Sequence, residues 1–221
     1  PLGHEVYPGN MNDVSCFEKM IEKVKTRFQL GKVIFVGDRG MTSKSNLGFL
    51  KKNQYDYILG YRMRTISKDE RYDVLSTIDL RKLKNSQLQY KETEYRGERL
   101  IVCYNEERAE NDREHRERQL ETLREKIKSG QVKNLISNLF YKRFVTLKAN
   151  KPKLDEKKIQ QDELYDGVFV LTTSTKLSCV QVVERYKDLW QVEMAFRQLK
   201  SELQVGPVDH WKDRRIRAHI M

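Results

Sequence analysis

The chain has 221 residues, of which 38% are hydrophobic and 34% are charged. This is enough for one large domain or for a domain that carries a sizeable insertion. The 43 Lys and Arg residues against 32 Asp and Glu residues give a formal net charge of +11, which favours a polyanionic partner, most simply nucleic acid. No run of about 18 apolar residues exists, so we expect no membrane span.

The cysteines and the first residues bear on the compartment. Cys16, Cys103 and Cys179 are odd in number, widely spaced and without a Cys-x-x-Cys motif, which suggests a reducing compartment and gives no zinc signature. The first ten residues, PLGHEVYPGN, lack the basic region and the apolar core of a signal peptide.

The first predicted element is a helix over residues 16–28. Asp13 or Ser15 is its expected N-cap, and Gly31 is its expected end. Apolar residues recur at helical spacing along one face. This face consists of Phe17, Met20, Ile21, Val24 and Phe28.

A strand that ends in a carboxylate follows. Residues 33–36 are four consecutive apolar residues of strand-favouring types, which predicts a strand buried on both faces. Asp38 stands just past it, where α/β sheets commonly place reactive groups. The alternative is an Asp that opens a turn or caps the next helix. That next helix is short, with Ser43 or Ser45 as its cap, and residues 55–63 predict a second core strand.

The character of the chain changes over residues 64–165. Residues 90–95 and 98–104 predict a hairpin around a turn at Arg96 and Gly97. Residues 105–129 predict a solvated helix with i,i+4 ion pairs, although a role in protein contacts is an alternative. Residues 148–155 predict a loop, and the polar run through Gln161 predicts a loop or an edge strand. This section has the features of an insertion within an α/β unit.

The α/β character returns at residue 166. Residues 168–173 predict a buried strand, and Ser178 can cap a long helix that runs to Leu203. Gly206 and Pro207 stop this helix, and another helix begins before the end of the chain. Beside Trp211 lies a basic cluster that faces either DNA or solvent. The cluster comprises Arg214, Arg215 and Arg217.

The long helix over residues 178–203 carries two stripes. An apolar stripe predicts its buried face and consists of Leu189, Val192, Phe196, Leu199 and Leu203. Beside it, Tyr186, Glu193 and Lys200 recur every seven residues and therefore share nearly the same azimuth. A carboxylate in line with a phenol and an ammonium suits phosphate chemistry. The alternative is that the charges are solvated, as they are on most amphipathic helices.

Together these segments resemble the DDE transposases of the bacterial insertion-sequence-four type. Residues 33–64 resemble the segment that supplies the second catalytic Asp of the family, here Asp38. The spacing of Tyr186, Glu193 and Lys200 resembles the Tyr-Arg-Glu-Lys signature, but Leu189 stands at the Arg position. Residues 206–220 resemble the stretch that follows the signature in that family.

The resemblance implies an α/β, RNase H-like core interrupted by a mixed α+β insertion. Residues 1–63 would form the first part of the core, residues 64–165 the insertion and residues 166–221 the part with the Glu-bearing helix. The implied location is cytoplasmic, in a bacterium and associated with the nucleoid. The implied partner is DNA, both transposon ends and target, and the resemblance allows a homodimer in a synaptic complex.

The implied activity is metal-dependent DNA strand cleavage and strand transfer at transposon ends. Three carboxylates in the family hold two divalent ions about 3.5–4 Å apart, and oxygen ligands suit Mg²⁺ or Mn²⁺. By resemblance Asp38 and Glu193 are catalytic and bind metal. The implied DNA contacts come from Tyr186, Lys200, Arg197, Trp190, Arg39, Arg214 and Arg215. Arg185, Arg197 and Arg39 are candidates to replace the Arg lost at Leu189.

The first carboxylate of the family has no counterpart among these residues. It belongs to a strand that would precede the loop at Gly9 and Asn10, and Asp13 is a poor substitute for it. We therefore expect a transposase fragment that is inactive, or nearly so, by itself. Two alternatives are a DNA-binding remnant without catalysis and another nuclease with the RNase H fold.

Overall fold

The structure is a computed structural model that describes residues 13–29, 31–84, 86–130, 143–148, 151–201 and 212–220. The helices are α1 (Asp13–Phe28), α2 (Lys44–Lys52), α3 (Lys68–Leu75), α4 (Glu106–Lys128), α5 (Glu156–Glu163), α6 (Cys179–Ser201) and α7 (Asp213–Ile220), with a 3-10 turn at Met63–Thr65. The strands are β1 (Ile34–Gly37), β2 (Asp56–Gly60), β3 (Arg81–Lys82), β4 (Leu88–Tyr95), β5 (Glu98–Asn105), β6 (Val145–Lys148), β7 (Lys151–Leu154) and β8 (Val168–Thr173).

The chain folds into two compact units. Unit 1 contains residues 1–62, 96–100 and 171–221, and unit 2 contains residues 63–95 and 101–170. The strand order is β1-β2-β8-β5 in unit 1 and β8-β5-β4-β3 in unit 2, so the division falls inside β5 and β8. Both units mix helices with strands, which confirms the predicted α/β class.

In unit 1, β1 and β2 are parallel, and β2 is antiparallel to the end of β8. Side chains from α1 and α2 pack on one face of the two parallel strands. This core consists of Phe17, Ile21, Leu50, Tyr57 and Leu59, all at most 4% exposed. The predicted helix, short helix and two strands of this region are therefore confirmed. Ser43 caps α2 by accepting a hydrogen bond from the Asn46 amide, as predicted.

Three expectations for this region are wrong. β1 is not buried on both faces, because Ile34 is 39% exposed and β1 lies at the end of the strand order among the described residues. An apolar run reports hydrophobicity, but it cannot report whether a further strand flanks it. The predicted apolar face of α1 is also only partly buried, since Met20, Val24 and Phe28 are 36–37% exposed. This helix ends at Phe28, before a left-handed Gln29, and not at Gly31.

The predicted hairpin strands β4 and β5 are joined by Arg96 and Gly97, both at positive φ. This is the backbone that two-residue hairpin turns require. The charged helix α4 is confirmed, with i,i+4 pairs between Arg108 and Asp112 and between Glu114 and Arg118. It also has a buried side, formed by Ala109, Arg116, Leu120 and Leu123.

The predicted loop over residues 148–155 is wrong at residue 148 and at residues 151–154, which are strand residues, while residues 149 and 150 lie outside the described residues. β6 and β7 pair as antiparallel strands, and Val145 of β6 packs with Leu120, Leu123, Phe144 and Ile159. The polar run that follows is helix α5, because Asp155 caps it by accepting a hydrogen bond from the Lys158 amide. The Lys and Pro residues of these strands have low strand preference, so the sequence did not predict them. The strands are stabilised by packing onto α4 and α5.

Tyr57 is a buried polar group that links β2 to the chain at residues 96–100. It is 2% exposed, and its hydroxyl donates to Glu98 Oε2 at 3.2 Å. Burial first, and then the charge and the hydrogen bond of Glu98, raise the pKa of Tyr57. The neutral phenol is therefore the form that the fold stabilises.

This predicts an alkaline loss of stability that Tyr57→Phe removes. A folded-state pKa raised above the ordinary value means that the stabilisation is complete below about pH 10 and declines as the pH rises further. Urea denaturation at neutral pH should show Tyr57→Phe less stable by about 1–2 kcal/mol, through the lost hydrogen bond to a carboxylate. The difference should shrink above about pH 10; a difference that is constant up to pH 11 would contradict this account.

Candidate functional site

Asp38 lies at the exposed end of β1 and opens a turn. Its Oδ1 accepts hydrogen bonds from the Gly40 amide at 2.8 Å and from the Met41 amide at 3.3 Å. Among the described residues no donor reaches Oδ2. The turn and a ligand role are therefore compatible, because one oxygen fixes the carboxylate while the other is open to a cation.

The loop over residues 38–43 is tied to the end of β2. The Arg39 carbonyl accepts from Thr42 Oγ1 at 2.6 Å and from Arg62 Nε at 3.1 Å. Thr42 Oγ1 also lies 3.1 Å from the Gly60 carbonyl, so its one hydrogen serves either acceptor. Sequence analysis missed Gly60 and Arg62, since only the parallel pairing of β1 with β2 brings them beside this loop, and it also missed Thr42 within the loop.

Gly60 is the point where this loop meets the long helix. A Cβ atom at Gly60 would lie 2.8 Å from the Arg39 amide nitrogen and 3.0 Å from the Tyr186 hydroxyl oxygen. Tyr186, which sequence analysis selected on α6, therefore packs against the residue of β2 that the loop carrying Asp38 also contacts. Only a residue without a side chain lets the strand, the loop and the helix approach this closely.

The start of α6 is fixed by two sets of hydrogen bonds. Ser178 Oγ accepts from the Gln181 amide at 3.3 Å, and Gln181 Oε1 accepts from the Ser178 amide at 3.0 Å. This confirms Ser178 as the cap and completes a capping box. Arg99 Nη1 donates to the carbonyls of Thr175 and Leu177, each at 2.9 Å. Arg99 thus holds the turn from which α6 starts.

The course of α6 follows from this anchor. The Ser174 amide donates to the Tyr57 carbonyl at 3.2 Å, so the helix begins beside the first residues of β2. The helix contacts both β1 and β2. At Tyr186 it lies beside Gly60, the last residue of β2. Side chains alternate along a strand, and Val36 pairs with Ile58, so these two residues share a face of the sheet. Gly60 shares that face with Ile58, and the face points toward α6.

Glu193 lies farther along the same helix than Tyr186 and is exposed. Seven residues advance a helix by about 10.5 Å, and residues 191–195 are all exposed. The predicted burial of the apolar stripe is wrong at Val192, which is 50% exposed, because β1 and β2 end near Tyr186. Leu189 is half-buried. The side chains of Phe196 and Leu199, and Leu203 itself, lie outside the described residues.

The other predicted DNA contacts are placed only in part. Arg39 and Arg197 are exposed, as are Arg214 and Arg215 on α7. The side chains of Trp190 and Lys200 lie outside the described residues, and so do Trp211 and the predicted stop at Gly206 and Pro207.

The ligand chemistry fits a hard divalent cation, but the described residues do not complete a site. Asp38 and Glu193 are exposed carboxylates of the type that Mg²⁺ and Mn²⁺ prefer. Within the described ranges, no three or more His, Cys, Asp and Glu side chains gather as a metal-binding group. None of the three described cysteines, Cys16, Cys103 and Cys179, forms a disulfide bond.

Comparison with known proteins identifies the family of the chain. A family model described as the transposase DDE domain matches residues 1–221. No curated protein and no solved structure matches the chain significantly. In the part of the chain that the structure describes, no helix has the length and apolar character to cross a membrane.

Substitution of Gly60 tests the close approach at this site. Gly60→Ala should lower the free energy of unfolding by about 1–3 kcal/mol, because the new methyl group overlaps the Arg39 backbone and the Tyr186 hydroxyl. Gly48→Ala is the matched control: a Cβ there meets nothing within 4 Å, so the helix should gain about 0.5–1 kcal/mol. Chemical denaturation measures both, and equal effects of the two substitutions would refute the contact.

Proposed function

The chain belongs to the transposase DDE domain family, and from this premise we propose that it carries part of the active site for DNA strand cleavage and strand transfer at transposon ends. Members of this family act on DNA and depend on divalent metal ions in general. In this proposal unit 1 is the RNase H-like core and unit 2 is the insertion. The single observation that supports the proposal most is the contact of Tyr186 with the end of β2 beside the Asp38 loop.

We assign roles to residues by their positions. Asp38 would hold a divalent ion through its open Oδ2, and Glu193 would provide the second carboxylate from α6. Such ions, when bound, activate the attacking oxygen and stabilise the leaving oxygen. Tyr186 would orient a phosphate by donating a hydrogen bond from its hydroxyl. The fit is incomplete, because two carboxylates seldom hold a competent metal pair and the described residues add no third.

Arg62 is our candidate for the cation that Leu189 does not supply. Its Nε is fixed on the Arg39 carbonyl at 3.1 Å, within the network that also holds Thr42. A guanidinium held in this way can contact a phosphate with little further loss of conformational entropy. Arg39 itself is exposed beside it. Leu189, at the signature position, and Arg62 are far apart in sequence. The proposal that Arg62 takes the role of the signature Arg therefore depends on the fold.

The metal site is tested by binding and cleavage together. Asp38→Asn and Glu193→Gln should each weaken Mn²⁺ binding at least tenfold, about 1.4 kcal/mol, in calorimetric titration. Glu184→Gln, an exposed Glu on the same helix, should leave the affinity unchanged. We further expect nicking of supercoiled plasmid by the chain alone to be weak or undetectable. Unchanged Mn²⁺ affinity in both site variants would refute Asp38 and Glu193 as metal ligands. Robust nicking would refute the expectation that the chain alone lacks a complete active site.

A DNA-binding role without catalysis is the second candidate. The observation that favours it is the lack of a three-acid group among the described residues, together with the net charge of +11. Under this alternative the metal titration fails while DNA binding persists.

Both candidates predict that DNA binding weakens steeply with salt. Neutralising phosphates releases counterions, so log Kobs falls by about 0.9 per phosphate contact for each unit of log salt. Fluorescence anisotropy with a labelled duplex should show a fall of at least tenfold between about 50 and 200 mM salt. A flat affinity would exclude nucleic acid as the partner.

A further inference from the structure

Unit 2 holds an arginine cluster that its own acids do not fully balance. The cluster consists of Arg64, Arg71 and Arg143 around Tyr165. Arg64 and Arg143 both pair with the same oxygen of Asp162, Arg64 at 3.1 Å. The neighbouring Arg116 is already matched by its own bidentate partner, Asp166. Two guanidinium groups, those of Arg64 and Arg143, therefore share one carboxylate oxygen.

Aromatic and backbone groups hold these cations in place. The Cζ atoms of Arg64 and Arg71 lie 4.9 Å and 5.7 Å from the centre of the Tyr165 ring. Arg71 Nη2 donates to the Ile66 carbonyl at 2.8 Å and to the Arg64 carbonyl at 3.3 Å. The cluster is thus a built arrangement and not a set of free surface side chains.

The cluster contains buried hydrogen-bonding groups without partners. Arg71 Nε, Arg143 Nε and the Tyr165 hydroxyl are shielded from solvent and make no hydrogen bond. A buried hydrogen-bonding group without a partner destabilises the folded protein. The pKa of Arg143 is lowered by burial first and then by the charges of Arg64 and Arg116. All of these costs decrease if an anion with several acceptor oxygens joins the cluster.

We propose that the Arg64–Arg71–Arg143 cluster binds a phosphate group of a nucleic acid backbone. Phosphate oxygens accept paired hydrogen bonds from guanidinium groups in this way. The side chain of Arg64 is 60% exposed and that of Arg143 is 35% exposed, so the cluster is open to an incoming anion on this side. The choice of nucleic acid as the source of the phosphate rests on the proposed function. The cluster is separate from Asp38 and Glu193, which belong to unit 1.

The test compares two arginines of unit 2 without any metal. Duplex binding is measured by anisotropy in EDTA for the wild type, Arg64→Gln and Arg124→Gln. Arg124 is exposed on α4 and its substitution changes the net charge equally. Arg64→Gln should reduce the salt slope by about 0.9, so that its affinity deficit shrinks about threefold between about 50 and 200 mM salt. Arg124→Gln should keep the wild-type slope.

A second variant separates binding from folding. Tyr165→Phe removes an unpartnered buried hydroxyl, so it should raise the melting temperature of the free protein while it weakens DNA binding. A structural role alone cannot produce these opposite signs. A further measurement uses inorganic phosphate as the ligand and records the stability of the wild type. If phosphate stabilises the wild type while Arg64→Gln keeps the wild-type salt slope for DNA, the cluster is a site for free anions and the proposal is overturned.

Equal slopes for the wild type and Arg64→Gln, or equal losses in Arg64→Gln and Arg124→Gln, would also overturn it. These outcomes do not depend on cleavage or on Mn²⁺. If Asp38→Asn and Glu193→Gln keep the wild-type Mn²⁺ affinity while Arg64→Gln has a reduced salt slope for DNA binding, the catalytic assignment is rejected and the phosphate site is retained.

Discussion

The close approach at Gly60 is the constraint on which the candidate site depends. At this one position the end of β2, the backbone of Arg39 and the hydroxyl of Tyr186 come within contact distance. Any side chain would push one of the three away. Because Arg39 follows Asp38 directly, the same contact fixes a candidate metal ligand relative to the helix that carries Glu193.

The two catalytic candidates of unit 1 differ in their surroundings, because Asp38 is held by hydrogen bonds and Glu193 is exposed. Asp38 is held through one oxygen by the amides of its own turn, and the start of α6 is held by Ser178 and Arg99. Glu193 stands farther along the helix, where five consecutive residues are exposed. A helix that is firmly anchored at its start and open near its acid is suited to complete a site with further groups.

Much of the secondary structure could be predicted from the sequence. The strands that became β1, β2 and β8 are short apolar runs of strand-favouring residues, and α4 and α6 are long segments without Gly or Pro. The pairing of β6 with β7 could not be predicted in this way. The residues of these strands, such as Lys151 and Lys153, have little strand preference, and the pairing depends on the packing of Phe144 and Val145 against α4 and α5.

By itself the sequence determined the α/β class, the capped helix with its Tyr, Glu and Lys at seven-residue spacing, and the acid after the first strand, because these features depend on local periodicity and chemistry. Only the tertiary structure decided that Gly60 and Arg62 contact the Asp38 loop, and that Val192 is exposed. It also decided that arginines from separate segments share Asp162. Contacts between distant segments depend on strand pairing and helix packing, and no local pattern encodes them.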